Sequence, residues 1–320
     1  MKKIIAVAAL MAVTAANAQD LSFGDVNYFL KQGQLNFLAD VNHRTQQFTT
    51  DITATNTVTS RTEGNFVFGQ LGYGLSDRLN LTAGVEYAFN VKVDDTYVGA
   101  GVTNPNPSSI TQDGLANPQL GVNYRFLSQT DERYNWDFGA LASIRIEDAE
   151  TGSSNPTSTD VSNGNASNGR SSIEINTRFG RKWNEANEWQ LAAGLIHNLD
   201  GEYTIVSSGG DTKLDVDASQ DFFLRATYQY RPVHEFMMSL MLQATQFGSY
   251  ETQNQANATD ASTDSRLDLQ SMFTAKYLVT SNFIVKFRYG LGHLPDFDQT
   301  DLELRKRRSK VMGIGIDWLF

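Results

Sequence analysis

Apolar and polar residues alternate with a period of two from about residue 35 to the end of the chain, whereas helical spacing of apolar residues is almost absent. Side chains of a β-strand point alternately to opposite faces, so this pattern predicts strands with one apolar face. The alternation is clearest over residues 78–90, 119–126 and 136–147. Further predicted strands lie at 35–45, 60–75, 172–183, 188–199, 219–230, 235–246, 266–279, 283–293 and 308–320.

The connections between these twelve predicted strands alternate between short and long. The short ones fall at 76–77, 128–134, 184–187, 231–234 and 280–282, and the long ones at 46–59, 91–116, 148–171, 200–218, 247–265 and 294–307. So many strands with an apolar face would expose a large patch to water, which burial in a bilayer avoids. The sequence therefore predicts an all-β fold, a transmembrane antiparallel up-and-down β-barrel with periplasmic short turns and extracellular long loops.

The amino terminus predicts export. Lys2 and Lys3 precede an apolar stretch, and the small-residue motif Ala16-Asn17-Ala18 follows it, as in a cleaved signal peptide. The predicted organisation is a signal peptide at 1–18, a periplasmic N-terminal segment at 19–34 and the barrel at 35–320. The expected location is the outer membrane of a Gram-negative bacterium. Whether the N-terminal segment, which includes Phe23 and Phe29, enters the lumen stays open at this stage.

The final strand carries a predicted assembly signal. Met312, Ile314, Ile316, Trp318 and Phe320 share one face, and the chain ends on the aromatic residue. An alternating last strand with a terminal Phe resembles the signal that the outer-membrane assembly machinery reads. We therefore predict this machinery as a partner, recognised through Ile316, Trp318 and Phe320.

Composition narrows the function classes. The chain has 0 Cys, which excludes disulfides and thiolate metal sites, and we expect no cofactor and no metal. Without Lys2 and Lys3, the remaining 24 basic and 36 acidic residues give a net charge of −12, which disfavours a nucleic-acid partner.

The predicted inner face is rich in both signs of charge. The pore-lining residues that strand parity predicts are Asp40, Glu86, Arg125, Asp137, Arg145, Glu174, Arg178, Arg225, Asp268, Lys276, Lys286, Arg288 and Asp317. Two interpretations fit: a field that orients polar or anionic solutes in a narrow pore, or an ion-pair network that fills and stiffens a small barrel.

The predicted loops carry many carboxylates, which are either solvated charge or weak sites for divalent cations. The basic run Arg305-Lys306-Arg307-Arg308 stands before the predicted last strand, where it either contacts lipopolysaccharide phosphates or is simply solvated. Outer-membrane lipid and lipopolysaccharide are thus predicted partners.

A rim hydrolase is the enzymatic alternative. It would need one of the four histidines, such as His197 or His293, beside a nucleophile such as Ser207 or Ser208. No spacing in the sequence singles out such a pair, so no catalytic residue is assigned and we expect no enzyme activity.

Two segments resemble a known family. They are Tyr73-Gly74-Leu75-Ser76-Asp77-Arg78-Leu79-Asn80-Leu81 and the stretch from Asp113 to Phe126, which contains Asn117-Pro118 and Tyr124-Arg125. Both are similar to motifs of the outer-membrane barrel family named after the meta-pathway of phenol degradation. The resemblance implies a transport channel for small, often hydrophobic or aromatic, solutes, and it transfers no catalytic residue.

The leading hypothesis from the sequence is therefore a channel for passive passage of small solutes. The alternatives are a structural or surface-interaction barrel with a closed lumen and, after it, the rim hydrolase.

Overall fold

The computed structural model describes residues 21–320 except 54–55, 100–101, 104–107, 131, 153–162, 165–168, 207–210, 256–259, 295–296 and 300–301. The predicted signal peptide and the candidate nucleophiles Ser207 and Ser208 lie outside these residues. No helix long and apolar enough to cross a membrane occurs in the described part of the chain.

Twelve long strands, each close to a predicted one, build the barrel. They are β1 (Leu35–Thr53), β2 (Asn56–Ser76), β3 (Leu79–Gly99), β4 (Gln119–Leu127), β5 (Asn135–Ser143), β6 (Arg170–Asn184), β7 (Asn187–Val206), β8 (Ser219–Val233), β9 (Phe236–Phe247), β10 (Arg266–Thr280), β11 (Phe283–Leu294) and β12 (Leu302–Leu319). Shorter strands occupy Val102–Thr103, Ser108–Leu115, Ala149–Gly152, Asn163–Gly164, Thr212–Val216, Tyr250–Asn254, Asp260–Thr263 and Phe297–Gln299.

Each long strand pairs antiparallel with its neighbours in sequence, and β12 pairs with β1, so the sheet closes on itself. At this closing seam, the β12–β1 pairing, the amide of Phe320 donates to the carbonyl of Leu35 at 2.7 Å. The prediction of a closed twelve-stranded antiparallel barrel is confirmed. Closure leaves no unpaired sheet edge. A sheet that spans a membrane must be closed in this way, because lipid cannot form hydrogen bonds with an open edge.

Several predicted loops are in fact continuations of strands. The hairpin of β1 and β2 keeps its register through Thr49 opposite Thr59, inside the predicted loop 46–59. Thr, Val and Ile are frequent in this stretch, and their β-branched side chains favour strands even when the sequence is polar. Likewise β12 begins at Leu302, so the basic run at 305–308 lies within the last strand and not before it. In contrast β5 ends at Ser143, four residues before the end of the predicted strand.

The outer face of the barrel is apolar, as the alternation predicts. Val41 is 52% exposed and Ile314 is 63% exposed, although both are aliphatic. Aromatic side chains cluster near the short turns, where Trp318 lies 4.5 Å from the ring of Phe320 and 6.0 Å from that of Phe283, measured between centroids. Such a belt of aromatic residues suits the interface between hydrocarbon and water.

The N-terminal segment, residues 21–34, lies inside the barrel at the short-turn rim, and we call it the N-terminal plug. It is built from tight turns, in which the amide of Asp25 donates to the carbonyl of Ser22 and the amide of Tyr28 to that of Asp25. Gly24 has a φ of 97°, a conformation that favours glycine. Phe23 of the plug packs against a small buried cluster of the inner wall, formed by Met237, Leu278 and Ile284.

Packing at the closing seam gives a stability prediction. A Cβ on Gly315 would lie 1.8 Å from Oδ1 of Asp40 and 2.7 Å from the carbonyl oxygen of Ala39. We expect Gly315→Ala to lower the free energy of unfolding by about 1–3 kcal/mol, since the seam has no room for a methyl group. Gly69→Ala is the matched control, because nothing lies within 4 Å of its added Cβ. Urea unfolding of the refolded barrels measures both, and equal midpoints for the two variants would contradict the prediction.

Candidate functional site

The candidate site is the interior of the barrel together with the plug that enters it. Strand parity places the even positions of β6 and the odd positions of β8 on the inner face, because the alternate positions Ile173, Ile175, Phe222 and Leu224 are exposed on the outside. The inward positions carry the charged and amide side chains. This arrangement gives an apolar outer wall and a polar lumen.

The plug is held to the wall mainly by polar contacts. Its Asp25 carboxylate accepts from Nζ of Lys182 at 2.9 Å and from Nη2 of Arg231 at 2.7 Å, and all three side chains are at least nine-tenths buried. The carboxylate of Glu188 accepts from the backbone amides of Val26 at 2.7 Å and Asn27 at 2.6 Å. The plug thus forms ion pairs with β6 and β8, and its backbone amides donate hydrogen bonds to β7.

Further contacts fix the plug to other parts of the wall. Nη2 of Arg125 donates to the carbonyl of Asn27 at 2.8 Å, and its guanidinium lies 4.6 Å from the ring centre of Phe29. Nζ of Lys276 donates to the carbonyl of Gly24 at 2.9 Å. Burial raises the pKa of the Tyr28 hydroxyl, which stays neutral and donates to Gln34 at 2.8 Å. These contacts come from strands on several sides of the barrel, so the plug spans the lumen at this level.

Cavities lie on both sides of the plug. On its inner side a space of about 230 Å³ is bounded by Phe23, Leu30 and Asn123, and on its periplasmic side a space of about 560 Å³ is bounded by Lys31, Asp77 and Ser128. Nearer the long loops, a third space of about 540 Å³ is lined by Arg170, Tyr203, Asp221, Phe247, Tyr250 and Arg266. The lumen therefore contains open volume above the plug.

Four predicted residues meet beside the closing seam. Lys286 is 2% exposed, and its Nζ lies 2.8 Å from Oδ1 of Asp317 and 3.2 Å from Oδ1 of Asp40. Arg288 adds a contact of 2.8 Å to Oδ2 of Asp40. The two cations and two carboxylates balance, and they link β11 and β12 to β1.

The other predicted residues form smaller groups. Arg125 binds both carboxylate oxygens of Asp137, at 2.7 and 2.9 Å. Glu86 pairs with Arg44, which is not among the predicted pore-lining residues. Glu174 accepts from Asn176 at 2.7 Å, and Asp268 accepts from Gln270 at 2.7 Å.

Arg145 lies beyond the end of β5 and not within a strand. It pairs with Asp148, and its Nη2 is 3.5 Å from Glu202. Its position is therefore at the long-loop end of the barrel, away from the middle of the predicted strand.

Three anchors of the plug are not among the predicted pore-lining residues: Asp25, Glu188 and Arg231. The alternation along β7 could have indicated Glu188, because the even positions of this strand face the lumen. Asp25 gave no signal, because it belongs to a segment without periodicity.

The histidines show no catalytic arrangement in the described ranges. His43 Nδ1 is 3.1 Å from Oδ1 of Asn65, and the described residues offer no hydrogen bond from a histidine to a serine or a carboxylate. Where the structure describes the chain, no group of three or more metal-binding side chains occurs.

These observations define a class of protein: a twelve-stranded transmembrane β-barrel whose polar lumen is occupied at the short-turn rim by its own N-terminal segment. No protein-family profile matches the chain, and no curated protein matches it either.

Solved structures are similar in fold. The COG4313 outer membrane channel from Pseudomonas putida F1 shares 14% sequence identity with this chain at a TM-score of 0.56. The alignment covers 94% of this chain and 100% of the channel. The TodX monoaromatic hydrocarbon channel, as a deltaS2 mutant, shares 9% at a TM-score of 0.42, covering 91% of each chain. The outer membrane protease OmpT from Escherichia coli shares 8% at 0.39, covering 94% of this chain and 99% of the protease. The first of these similarities shows the outer-membrane barrel fold.

Proposed function

We propose that this protein is an outer-membrane channel for small solutes whose periplasmic mouth is closed by the N-terminal plug. The observation that carries the proposal is the way in which the plug is held. Ion pairs and hydrogen bonds fix it to the wall, and water can replace such contacts when the plug leaves. The cavities on both sides of the plug would then join.

The fold similarity to an outer-membrane channel supports the same proposal, as does the resemblance of residues 73–81 and 113–126 to the phenol meta-pathway barrel family. We also propose that passage is passive: solute would move down its own gradient once the plug has left. We further propose export by the predicted signal peptide, assembly through Ile316, Trp318 and Phe320, and contact with lipopolysaccharide at the long-loop end.

A closed structural barrel is the second candidate function, and the plug itself favours it. A plug that never leaves would make the lumen a packed interior, with the ion pairs of Asp40 and Asp137 as stiffening contacts. The two functions differ in one measurable property, which is flux through the purified barrel.

Conductance and liposome swelling test the proposal on the full chain and on a variant without residues 21–32. We expect the shortened barrel to pass small ions and neutral sugars steadily, because the contacts that cross its lumen at the rim are gone. The full-length barrel should open only briefly. A folded shortened barrel that passes neither ions nor sugars would exclude the channel and leave the structural barrel.

A further inference from the structure

Two arginines of the lumen, Arg178 and Arg225, lack the ion pair that several other inward cations form. Arg44, Arg125, Lys286 and Arg288 each form an ion pair with a carboxylate. Within the described part of the chain, Arg178 and Arg225 form hydrogen bonds only with amide side chains. Buried cations are usually paired. Lys276 also lacks an ion pair among the described residues, but its Nζ is already held by the plug carbonyl of Gly24 and by Gln229.

Most donors of these two guanidinium groups have no partner among the described residues. Nη2 of Arg178 donates to Oδ1 of Asn123, whereas its Nε is buried without a hydrogen bond. Nε of Arg225 donates to Oε1 of Gln243 at 2.7 Å, and its guanidinium lies 5.2 Å from the ring centre of Phe223. A guanidinium has five N–H donors, so each group retains donors for a ligand.

The sheet register brings the two arginines to either side of one small residue. Ala192 on β7 is the register partner of Arg178 on β6 and also of Arg225 on β8. Two strand spacings separate the backbones of the arginines by about 10 Å, a distance that a carboxylate between their two long side chains can bridge. The two arginines therefore occupy neighbouring inward positions, on the two strands that flank Ala192.

The neighbouring carboxylates do not neutralise these two arginines. Asp137 is the register partner of Arg178, but Arg125 binds both of its oxygens. Glu174 is the remaining nearby anion, and it accepts from Asn176. Arg178 and Arg225 against Glu174 leave one net positive charge, which favours an anionic ligand.

Apolar side chains follow on the inner wall toward the short turns, since Met241 lies two residues from Gln243, the register partner of Arg225. Met241 on β9 is the register partner of Met272 on β10, and Met272 pairs in turn with Gly290 on β11. A Cβ at Gly290 would touch Met272 at 3.5 Å and Val311 at 3.6 Å, so these side chains lie together on the inner wall. Met side chains adapt readily to apolar ligands of different shape.

We propose that Arg178 and Arg225 bind the carboxylate of a small organic anion inside the lumen, with its apolar body against Met241 and Met272. A planar guanidinium matches a carboxylate in geometry as well as in charge. The site rests on the proposed function in one respect: solute must reach the lumen. A space of about 540 Å³ lies on the long-loop side, lined in part by Asp221 of the strand that carries Arg225.

Calorimetry of the full-length, refolded protein in detergent tests the site, with benzoate as the probe and benzyl alcohol as its neutral counterpart. We expect benzoate to bind at least about tenfold more tightly than benzyl alcohol, and R178Q and R225Q each to weaken benzoate binding about tenfold, since each removes a charge-assisted hydrogen bond. R61Q is the matched control, because Arg61 lies on the outer face, pairs with Glu63 and is 59% exposed. It should bind benzoate as the wild type does.

Equal benzoate affinity in the wild type and the R178Q/R225Q double variant would overturn the site, as would wild-type protein that does not bind benzoate. Folding is checked by the heat-dependent migration of the barrel in gels. If R178Q fails this check, R178K replaces it. The lysine keeps the positive charge but lacks the planar guanidinium group. Unchanged benzoate binding by R178K would count against the site.

The outcomes separate this site from the proposed channel, because binding at equilibrium needs no passage. Sugar flux through the shortened barrel without benzoate binding overturns the site alone. Benzoate binding that depends on both arginines, without flux of any solute, overturns the channel alone.

Discussion

Replacing Asp25 with asparagine should raise the open fraction of the channel about a hundredfold or more. The Asp25 side chain is 2% exposed and pairs with Lys182 and Arg231, so its neutralisation removes the negative charge that these two buried cations share. Breaking a buried pair costs about 3–5 kcal/mol, and each 1.4 kcal/mol changes an equilibrium about tenfold. Departure of the plug relieves this cost, because both cations then meet water. Single-channel recordings in planar bilayers measure the open probability.

Asp264→Asn is the control for this change, since Asp264 is exposed on the long-loop side and contributes the same unit of charge. It should leave the open probability unchanged. If D25N and D264N behaved alike while the shortened barrel conducted, the Asp25 ion pairs would not be what keeps the plug in place.

Replacing Lys286 with methionine should lower the free energy of unfolding by about 3–5 kcal/mol. Lys286 is 2% exposed and is the cation that Asp40 and Asp317 share beside the closing seam. Without it, Asp317 loses its ion pair and Asp40 keeps only Arg288. Urea unfolding followed by tryptophan fluorescence measures the loss.

Lys213→Met is the matched control for the seam, because Lys213 is exposed outside it. We expect a change within about 0.5 kcal/mol for this variant. A similar midpoint for K286M and K213M would show that the seam network contributes nothing to stability. The double variant K286M/D317N should recover part of the loss, since it removes the stranded carboxylate together with its partner.

Most of the barrel was predictable because its information is local. Period-two alternation gave the twelve strands, and the short links gave the rim where both termini meet. The errors fall where the apolar pattern stops. Residues 46–59 continue the hairpin of β1 and β2 through backbone pairing, which polar, Thr-rich sequence does not reveal. The end of β5 at Ser143 was missed for the related reason that alternation continues through Ile144 and Ile146 after the strand has ended.

The charged interior was predictable as a set of positions but not as a set of contacts. Parity assigned Asp40, Lys286 and Asp317 to one face, whereas their meeting depends on β12 closing against β1 across nearly the whole length of the chain. The same holds for Arg178 and Arg225, which only the register of β6, β7 and β8 brings to either side of Ala192.

The plug shows the same division most clearly. Its apolar residues made entry into the lumen conceivable, but its anchors, Asp25 to Lys182 and Asn27 to Glu188, join residues more than 150 positions apart. By itself the sequence determined the strands, their outward apolar faces and the order of short and long connections, because side-chain alternation and turn length act between neighbours along the chain. Only the tertiary structure decided which charges pair, which remain for a ligand and where the N-terminal segment lies, because these depend on closure of the barrel, which sets distances across the lumen.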